Sequence, residues 1–197
     1  AHGGGPSAYL GVAFLIAAVL VALPAADQLG AARGEEAGGR LDHLFVRGVS
    51  RNSWLVGRLS VAVVALAIAG LAAGLSAWVG AATQDSGVGL VSMLAAGINL
   101  VPPAVLLLGI GALVLGWAPR AASGVAYGLL AWSFLVELIG GILRINHWLL
   151  DTSVFHQMAA APATGPDWST NGALVGLGAV GALIGGIGFR RRDLAEA

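Results

Sequence analysis

The chain has 197 residues, of which 57% are hydrophobic and only 10% charged, and its mean hydropathy is +0.85. A soluble domain carries roughly a quarter of its residues charged, so this composition excludes an ordinary soluble globular domain. The formal net charge is zero, every basic residue is an arginine, and there is no cysteine. These features disfavour nucleic-acid binding and exclude a Walker A lysine, disulfides and thiol nucleophiles.

Five apolar stretches are long enough to cross about 30 Å of hydrocarbon at about 1.5 Å per residue, which predicts an all-α polytopic membrane protein. We predict spans at about residues 8–26, 54–82, 87–117, 121–145 and 171–189 of a single transmembrane domain, residues 1–197. The chain starts at Ala1 in a Gly-rich stretch, so we expect it to be part of a longer protein.

The polar stretch 27–53 lies between the first two spans. We expect this loop and the C-terminus to be cytoplasmic in a plasma-membrane protein, because that orientation places most of the arginines inside.

The stretch 87–117 is too long for one straight crossing and too short for two. Counting it as one crossing keeps the later arginines inside, so we predict one helix broken at Pro102 and Pro103.

The stretch between the last two predicted spans, residues 146–170, is rich in histidine, tryptophan and proline. This composition predicts an extracytoplasmic re-entrant or interfacial segment. Its residues His147, Asp151 and His156 could suggest a metal, but their spacing does not match a compact helical ligand pair, so we expect no metal site.

A short amphipathic pattern lies within the polar loop. Leu41, Leu44 and Phe45 recur at i, i+3 and i+4, and Gly48 can end a helix over 41–47. Nothing in the loop can bury this apolar face, so the helix is expected to lie on the membrane surface or in a groove of another protein. A plain solvated loop that follows the positive-inside rule is the alternative.

Four motifs occur in a fixed order along the chain. The first, at residues 35–44, reads E-E-x-x-G-R-x-D-x-L and is followed by V-S-R at 49–51. The second begins at residue 116 and reads G-W-A-P-R-A-A, the third begins at residue 153 and reads S-V-F-H, and the fourth begins at residue 189 and reads F-R-R-R-D-L. This order resembles the permeases of ABC-2 type exporters. It is most similar to the C-terminal half of the large polyketide-antibiotic and tetronasin-type permeases of actinobacteria. Val154 stands where that family usually has proline.

The resemblance implies about five spans of a six-helix ABC-2 half, in the permease subunit of an ATP-driven exporter of hydrophobic drugs or antibiotics. Residues 41–47 would be the coupling helix that contacts a separate nucleotide-binding (ATPase) subunit. A second permease half, upstream in the same chain or in a separate subunit, would complete the pathway. ATP and Mg²⁺ would bind to the ATPase subunit, and this chain would bind no cofactor and carry no catalytic site. The implied coupling residues are Glu35, Glu36, Gly39, Arg40, Leu41, Asp42, His43, Leu44, Phe45, Arg47, Ser50 and Arg51.

A function of another class also fits the residues. The chain could be a non-transporting assembly or anchoring subunit, in which the helix 41–47 only recruits a cytosolic protein. The identity of the protein that binds the polar loop distinguishes the two functions.

Glu137 is acidic and lies well inside an apolar span, which makes it a functional candidate by default. Arg144 lies on the same helix face two turns further on, so pairing with Arg144 or bonding to a neighbouring helix is the structural alternative. Trp132, on the same predicted helix, and Asn99, at the helix break, complete a candidate path for a hydrophobic substrate. For Trp132 the alternative is packing against lipid or the core.

Glycine pairs spaced four residues apart occur at 70 and 74, 172 and 176, and 181 and 185. Such pairs let membrane helices approach closely, so all three are expected to assemble the bundle.

Overall fold

The computed structural model describes residues 5–37, 50–84, 88–142, 146–158 and 165–191. Within these ranges every regular element is helical, which confirms the predicted fold class. The helices are α1 (Gly5–Ala37), α2 (Arg51–Ala82), α3 (Leu90–Ile98), α4 (Val101–Trp117), α5 (Ala122–Ile142), α6 (His147–Leu150) and α7 (Trp168–Arg191), with a 3-10 turn at Pro119–Ala121 before α5.

Five of the described helical stretches are long and apolar enough to cross a membrane, which confirms the predicted number. They are Ala13–Glu35, Asn52–Ala82, Leu90–Trp117, Pro119–Gly140 and Trp168–Arg191. The chain is therefore a multi-pass membrane protein. Large apolar side chains are exposed along α2 and α7, as expected where lipid rather than water surrounds a helix.

The third crossing consists of two helices with a break between them. Helix α3 ends at Ile98 and α4 begins at Val101, so Asn99 and Leu100 form the turn. Pro102 and Pro103 lie in the first turn of α4, where a helix does not need their missing N–H groups.

Helices α1, α4 and α5 pack against one another, α2 contacts α1 and α3, and α7 packs along α4. We call the end of the bundle where α1 ends and α2 begins the proximal end. Helices α4 and α7 also end there, and Leu55, Leu115, Ala122 and Phe189 pack together in a small apolar cluster. The opposite end is called the distal end. The larger apolar core lies between them, around Leu29, Leu66 and Leu107.

Glycine lets the α4 and α7 backbones approach closely. A Cβ atom at Gly178 would lie 2.7 Å from the carbonyl oxygen of Val105, and one at Gly185 would collide with the backbone of Ala112. A Cβ atom at Gly181 would lie 2.9 Å from the carbonyl oxygen of Gly109, so the predicted pair Gly181 and Gly185 does assemble the bundle.

The other two glycine pairs differ from each other. Gly70 and Gly74 contact α3, and a Cβ atom at Gly74 would lie 2.6 Å from the carbonyl oxygen of Met93. Gly172 and Gly176 face open space, with nothing within 4 Å of a Cβ atom at either position. Among the described residues this pair therefore joins no helices, contrary to the expectation from its spacing.

Candidate functional site

An ion pair at the proximal end joins the two helices that border the polar loop. Arg58 Nη1 of α2 donates to Glu35 Oε1 of α1 over 2.7 Å, and Arg58 Nε donates to the carbonyl oxygen of Gln28 over 3.4 Å. Both ionic side chains are partly shielded, with 18% of Arg58 and 30% of Glu35 exposed. The last turn of α1 is thereby tied to the second turn of α2.

Two aromatic side chains extend this contact to α7. The Arg58 guanidinium lies 5.8 Å from the centre of the Trp54 ring, a cation–π arrangement. Trp54 is in turn stacked on Phe189, with ring centres 5.7 Å apart and planes 22° apart. Three crossings therefore meet at the proximal end through one continuous set of side chains.

The start of α2 is fixed by a helix cap. The Ser50 hydroxyl accepts a hydrogen bond from the Ser53 backbone N–H over 3.1 Å, which satisfies one of the free donors of the first turn. Among the predicted coupling residues, the structure describes the side chains of Ser50 and Glu35. Each of these side chains fixes a helix end beside the loop. For Glu36 and Arg51 the structure describes the backbone only. The remaining coupling residues, with the predicted helix 41–47, lie outside the described residues: Gly39, Arg40, Leu41, Asp42, His43, Leu44, Phe45 and Arg47.

Glu137 pairs with a histidine from the segment after α6. His156 Nδ1 lies 3.3 Å from Glu137 Oε1, and the two side chains are 33% and 23% exposed. The approach is close enough for an ion pair when His156 is protonated, but it is not aligned as a hydrogen bond, since the buried Glu137 Oε1 has no such partner. Arg144, the alternative partner on the same helix, lies outside the described residues.

We call residues 146–158, which contain α6 and the turns after it, the docked segment. The Ser133 hydroxyl of α5 accepts from the Val154 N–H over 3.1 Å, and the Ser133 carbonyl oxygen accepts from the Ser153 hydroxyl over 3.4 Å. Phe155, with 4% of its surface exposed, inserts into the core. Two hydrogen bonds to Ser133 and an apolar anchor therefore hold this segment on α5.

Trp132 is a further contact of α5 with the docked segment. Its Nε1–H donates to the Thr152 hydroxyl over 2.9 Å, and that hydroxyl donates to the carbonyl oxygen of Leu149 over 2.6 Å. Trp132 as a whole remains 45% exposed. The indole N–H of Trp132 is thus held by a hydrogen bond, while much of the rest of the side chain is exposed.

Asn99 lies at a different place from Glu137 and Trp132. Its Oδ1 accepts from Asn171 Nδ2 of α7 over 2.9 Å, and both side chains are buried. The structure therefore does not bring the three candidate path residues together. Trp132 and Glu137 contact the docked segment, whereas Asn99 joins the helix break to α7.

Sequence reasoning missed the partners of these residues. Arg58 is a charge within an apolar stretch, so the rule that selected Glu137 would also have selected it. His156 and Asn171 carry no such signal, because their pairing depends on contacts between distant parts of the chain. Among the described residues, no three His, Asp or Glu side chains are grouped closely enough to hold a metal ion.

The fold and these contacts define a helical multi-pass membrane protein with buried polar contacts between its crossings. The family described as the C-terminal domain of the multidrug efflux system permease Rv1217c matches residues 2–190, and the chain belongs to that family. The multidrug efflux system permease protein Rv1217c of Mycobacterium tuberculosis (strain ATCC 25618 / H37Rv) is 30% identical over 192 residues. These residues are 95% of this chain and 34% of that protein, so the chain spans about a third of its relative.

Membership of this family supports the permease part of the sequence prediction.

Proposed function

We propose that the chain is most of the C-terminal half of an ABC-2 type permease, similar to the tetronasin-type permeases, that exports hydrophobic drugs or antibiotics with energy from a separate ATPase subunit. The observation that carries the proposal is the Glu35–Arg58 ion pair, at 2.7 Å, on the two helices that border the polar loop. The relative is named a multidrug efflux system permease, which supports the same function.

The ion pair suits a loop that receives mechanical work. A force applied to residues 38–49 would reach α1 and α2 together, because Arg58 holds both helices and contacts the Trp54–Phe189 stack of α7. Closure of the ATPase subunits would press on the helix 41–47 and tilt the attached crossings. ATP and Mg²⁺ act on the ATPase subunit, and this chain transmits the movement. In this arrangement the proximal end and the C-terminus face the cytoplasm of a plasma-membrane protein.

The polar residues inside the crossings form the proposed substrate path with the second permease half. Trp132 offers an exposed ring, and Glu137 and Asn99 offer polar groups at the docked segment and at the helix break. Each of them contacts another part of this chain, so a substrate that binds Glu137 or Asn99 competes with His156 or Asn171. Rearrangement of the docked segment against α5 would then accompany transport, with that segment on the extracytoplasmic side.

A charge-reversal experiment on the loop tests the proposal. The intact complex is purified from its membrane, its subunits are identified by mass spectrometry, and drug-stimulated ATP hydrolysis and drug uptake are measured in proteoliposomes. We expect an ATPase subunit to copurify, and Asp42→Arg combined with Arg47→Glu to abolish drug stimulation. The matched control is Asp151→Arg, which changes an exposed charge on the docked segment and is expected to preserve stimulation.

Two results would contradict this function. If no ATPase copurifies under conditions that preserve other membrane complexes, the loop does not couple to ATP hydrolysis, and the anchoring function becomes the better interpretation. If the double variant retains the full drug-stimulated rate, the helix 41–47 does not carry the coupling.

A further inference from the structure

Asp27 and Tyr127 form a polar contact on the outside of the bundle. The Tyr127 hydroxyl of α5 donates to Asp27 Oδ1 of α1, across two crossings. Asp27 is exposed, and 42% of the Tyr127 surface is exposed. Both residues belong to stretches that are long and apolar enough to span a membrane, Ala13–Glu35 and Pro119–Gly140.

Neighbouring contacts give the depth of Asp27. A Cβ atom at Gly111 would collide with the Leu29 side chain, so Leu29 lies level with Gly111. Gly111 precedes Trp117, at the proximal end of α4, by about 9 Å along the helix axis, and Asp27 lies about 3 Å further from that end than Leu29. Asp27 therefore lies about 12 Å from Trp117 along the helix axis, within a stretch long and apolar enough to span a membrane.

The carboxylate of Asp27 has no cationic partner within the described part of the chain. There Arg58 pairs with Glu35, and His156 lies beside Glu137. An exposed carboxylate at this depth would be costly against lipid, so the face of α1 and α5 that carries it is turned toward water or another protein surface. The relative is about three times as long as this chain, which leaves room for such a surface.

The surroundings of the pair suit an organic cation. A carboxylate attracts an ammonium or phosphonium group, and the adjacent tyrosine ring offers a cation–π contact. Gly124, one turn from Tyr127, adds no side chain, and nothing lies within 4 Å of a Cβ atom built there. A bulky apolar cation could therefore reach the ring and the carboxylate together.

We propose that Asp27 and Tyr127 form a binding site for lipophilic organic cations, in which Asp27 supplies the charge and the Tyr127 ring packs on the ligand. The inference rests on the proposed export function for its biological role and names a substrate class for it. The binding itself requires no ATP.

The test is equilibrium binding of tetraphenylphosphonium to the purified intact complex in lipid nanodiscs, without nucleotide. We expect Asp27→Asn to weaken binding about tenfold, as loss of a partly shielded charge contact implies. Asp27→Glu keeps the charge and Tyr127→Phe keeps the ring. The affinity of each variant for tetraphenylphosphonium should therefore lie within about threefold of the wild-type affinity. The control Asp151→Asn, on the docked segment, should bind as the wild type does.

A neutral probe separates charge recognition from general damage. Triphenylphosphine oxide should bind equally to the wild type and to Asp27→Asn. If Asp27→Asn binds the cation as tightly as the wild type, or loses both probes equally, the proposal is wrong. If Asp27→Asn does not fold, Tyr127→Leu compared with Tyr127→Phe decides, because equal binding by these two variants excludes a role for the ring.

The result is distinguishable from failure of the export function. Absence of ATP-dependent transport in proteoliposomes contradicts the export function and leaves cation binding measurable. Absence of tetraphenylphosphonium binding to an actively transporting wild-type complex contradicts the cation site alone.

Discussion

Asn171 Nδ2 donates a hydrogen bond to Asn99 Oδ1 over 2.9 Å, and this contact joins two side chains that are 72 residues apart in the chain. Only 1% of Asn99 and 4% of Asn171 is exposed. In an apolar surrounding, each amide group needs a partner because neither water nor lipid tails can replace it there. The contact therefore holds the break between α3 and α4 in register with the first turn of α7.

Replacement of Asn171 tests this contact. Asn171→Ala removes the donor to Asn99, and we expect it to lower the free energy of unfolding by about 1 kcal/mol, within the range measured for hydrogen bonds between membrane helices. Reversible unfolding in mixed detergent micelles measures the change. Asn52→Ala, at an exposed position in the first turn of α2, is the control and should have a much smaller effect. Equal effects of the two substitutions would show that the buried contact adds nothing.

The close packing of α4 and α7 gives a second prediction. Gly185→Ala places a methyl group where it would collide with the Ala112 backbone, so the helices must separate. We expect a loss of about 1–3 kcal/mol, as for other overpacked positions. Gly176→Ala is the matched control on the same helix, since nothing lies within 4 Å of its Cβ position. The same unfolding measurement applies, and a neutral Gly185→Ala variant would contradict the tight contact.

These glycines also show what the sequence could predict. Hydropathy and length predicted five crossings because each stretch satisfies the membrane requirement by itself. The spacing of Gly172 and Gly176 is identical to that of Gly181 and Gly185, yet only the second pair contacts α4. Spacing defines a small-residue face on a helix, but the fold decides which helix lies opposite.

The candidate path residues show the same limit. These residues could be selected from the sequence because polar side chains are rare in apolar helices. Their partners were not, because the local rule offered Arg144 for Glu137, whereas the structure places His156 beside it. The composition of residues 146–170 predicted a re-entrant or interfacial segment, but nothing in the sequence indicated that Ser133 would hold it.

The Glu35–Arg58 ion pair gives a third prediction. Because both side chains are partly exposed, we expect a coupling energy of about 0.5–1 kcal/mol in a double-mutant cycle of Glu35→Gln and Arg58→Gln. The cycle is measured by reversible unfolding at low and high salt, and the coupling should be smaller at high salt. Pairing Glu35→Gln with Arg120→Gln supplies a control cycle, because Arg120 forms no described contact with Glu35. A coupling of zero at low salt would show that the ion pair does not stabilise the proximal end.

The fourth prediction concerns Asp167, which caps α7 immediately before its first residue. Its carboxylate accepts from the Ser169 hydroxyl over 2.5 Å and the Thr170 hydroxyl over 2.7 Å, and also from both backbone N–H groups. These donors favour the charged form and lower the pKa of Asp167 from 3.8 to about 2. Because the pKa is lower in the folded state, the carboxylate stabilises that state above pH 3.8, and this stabilisation is lost as the pH falls through about 2.

Substitutions at Asp167 separate the charge from the cap. We expect Asp167→Ala to unfold at a lower temperature than the wild type at pH 6, and the difference to shrink steadily as the pH falls from 3.8 toward 2. Asp167→Asn keeps a capping oxygen without a titrating group, so its melting temperature should lie between the other two at pH 6. Thermal melts of the purified protein in detergent, followed by circular dichroism across this pH range, measure all three. A difference between the wild type and Asp167→Ala that does not change with pH would mean that the stabilisation by Asp167 does not depend on its charge.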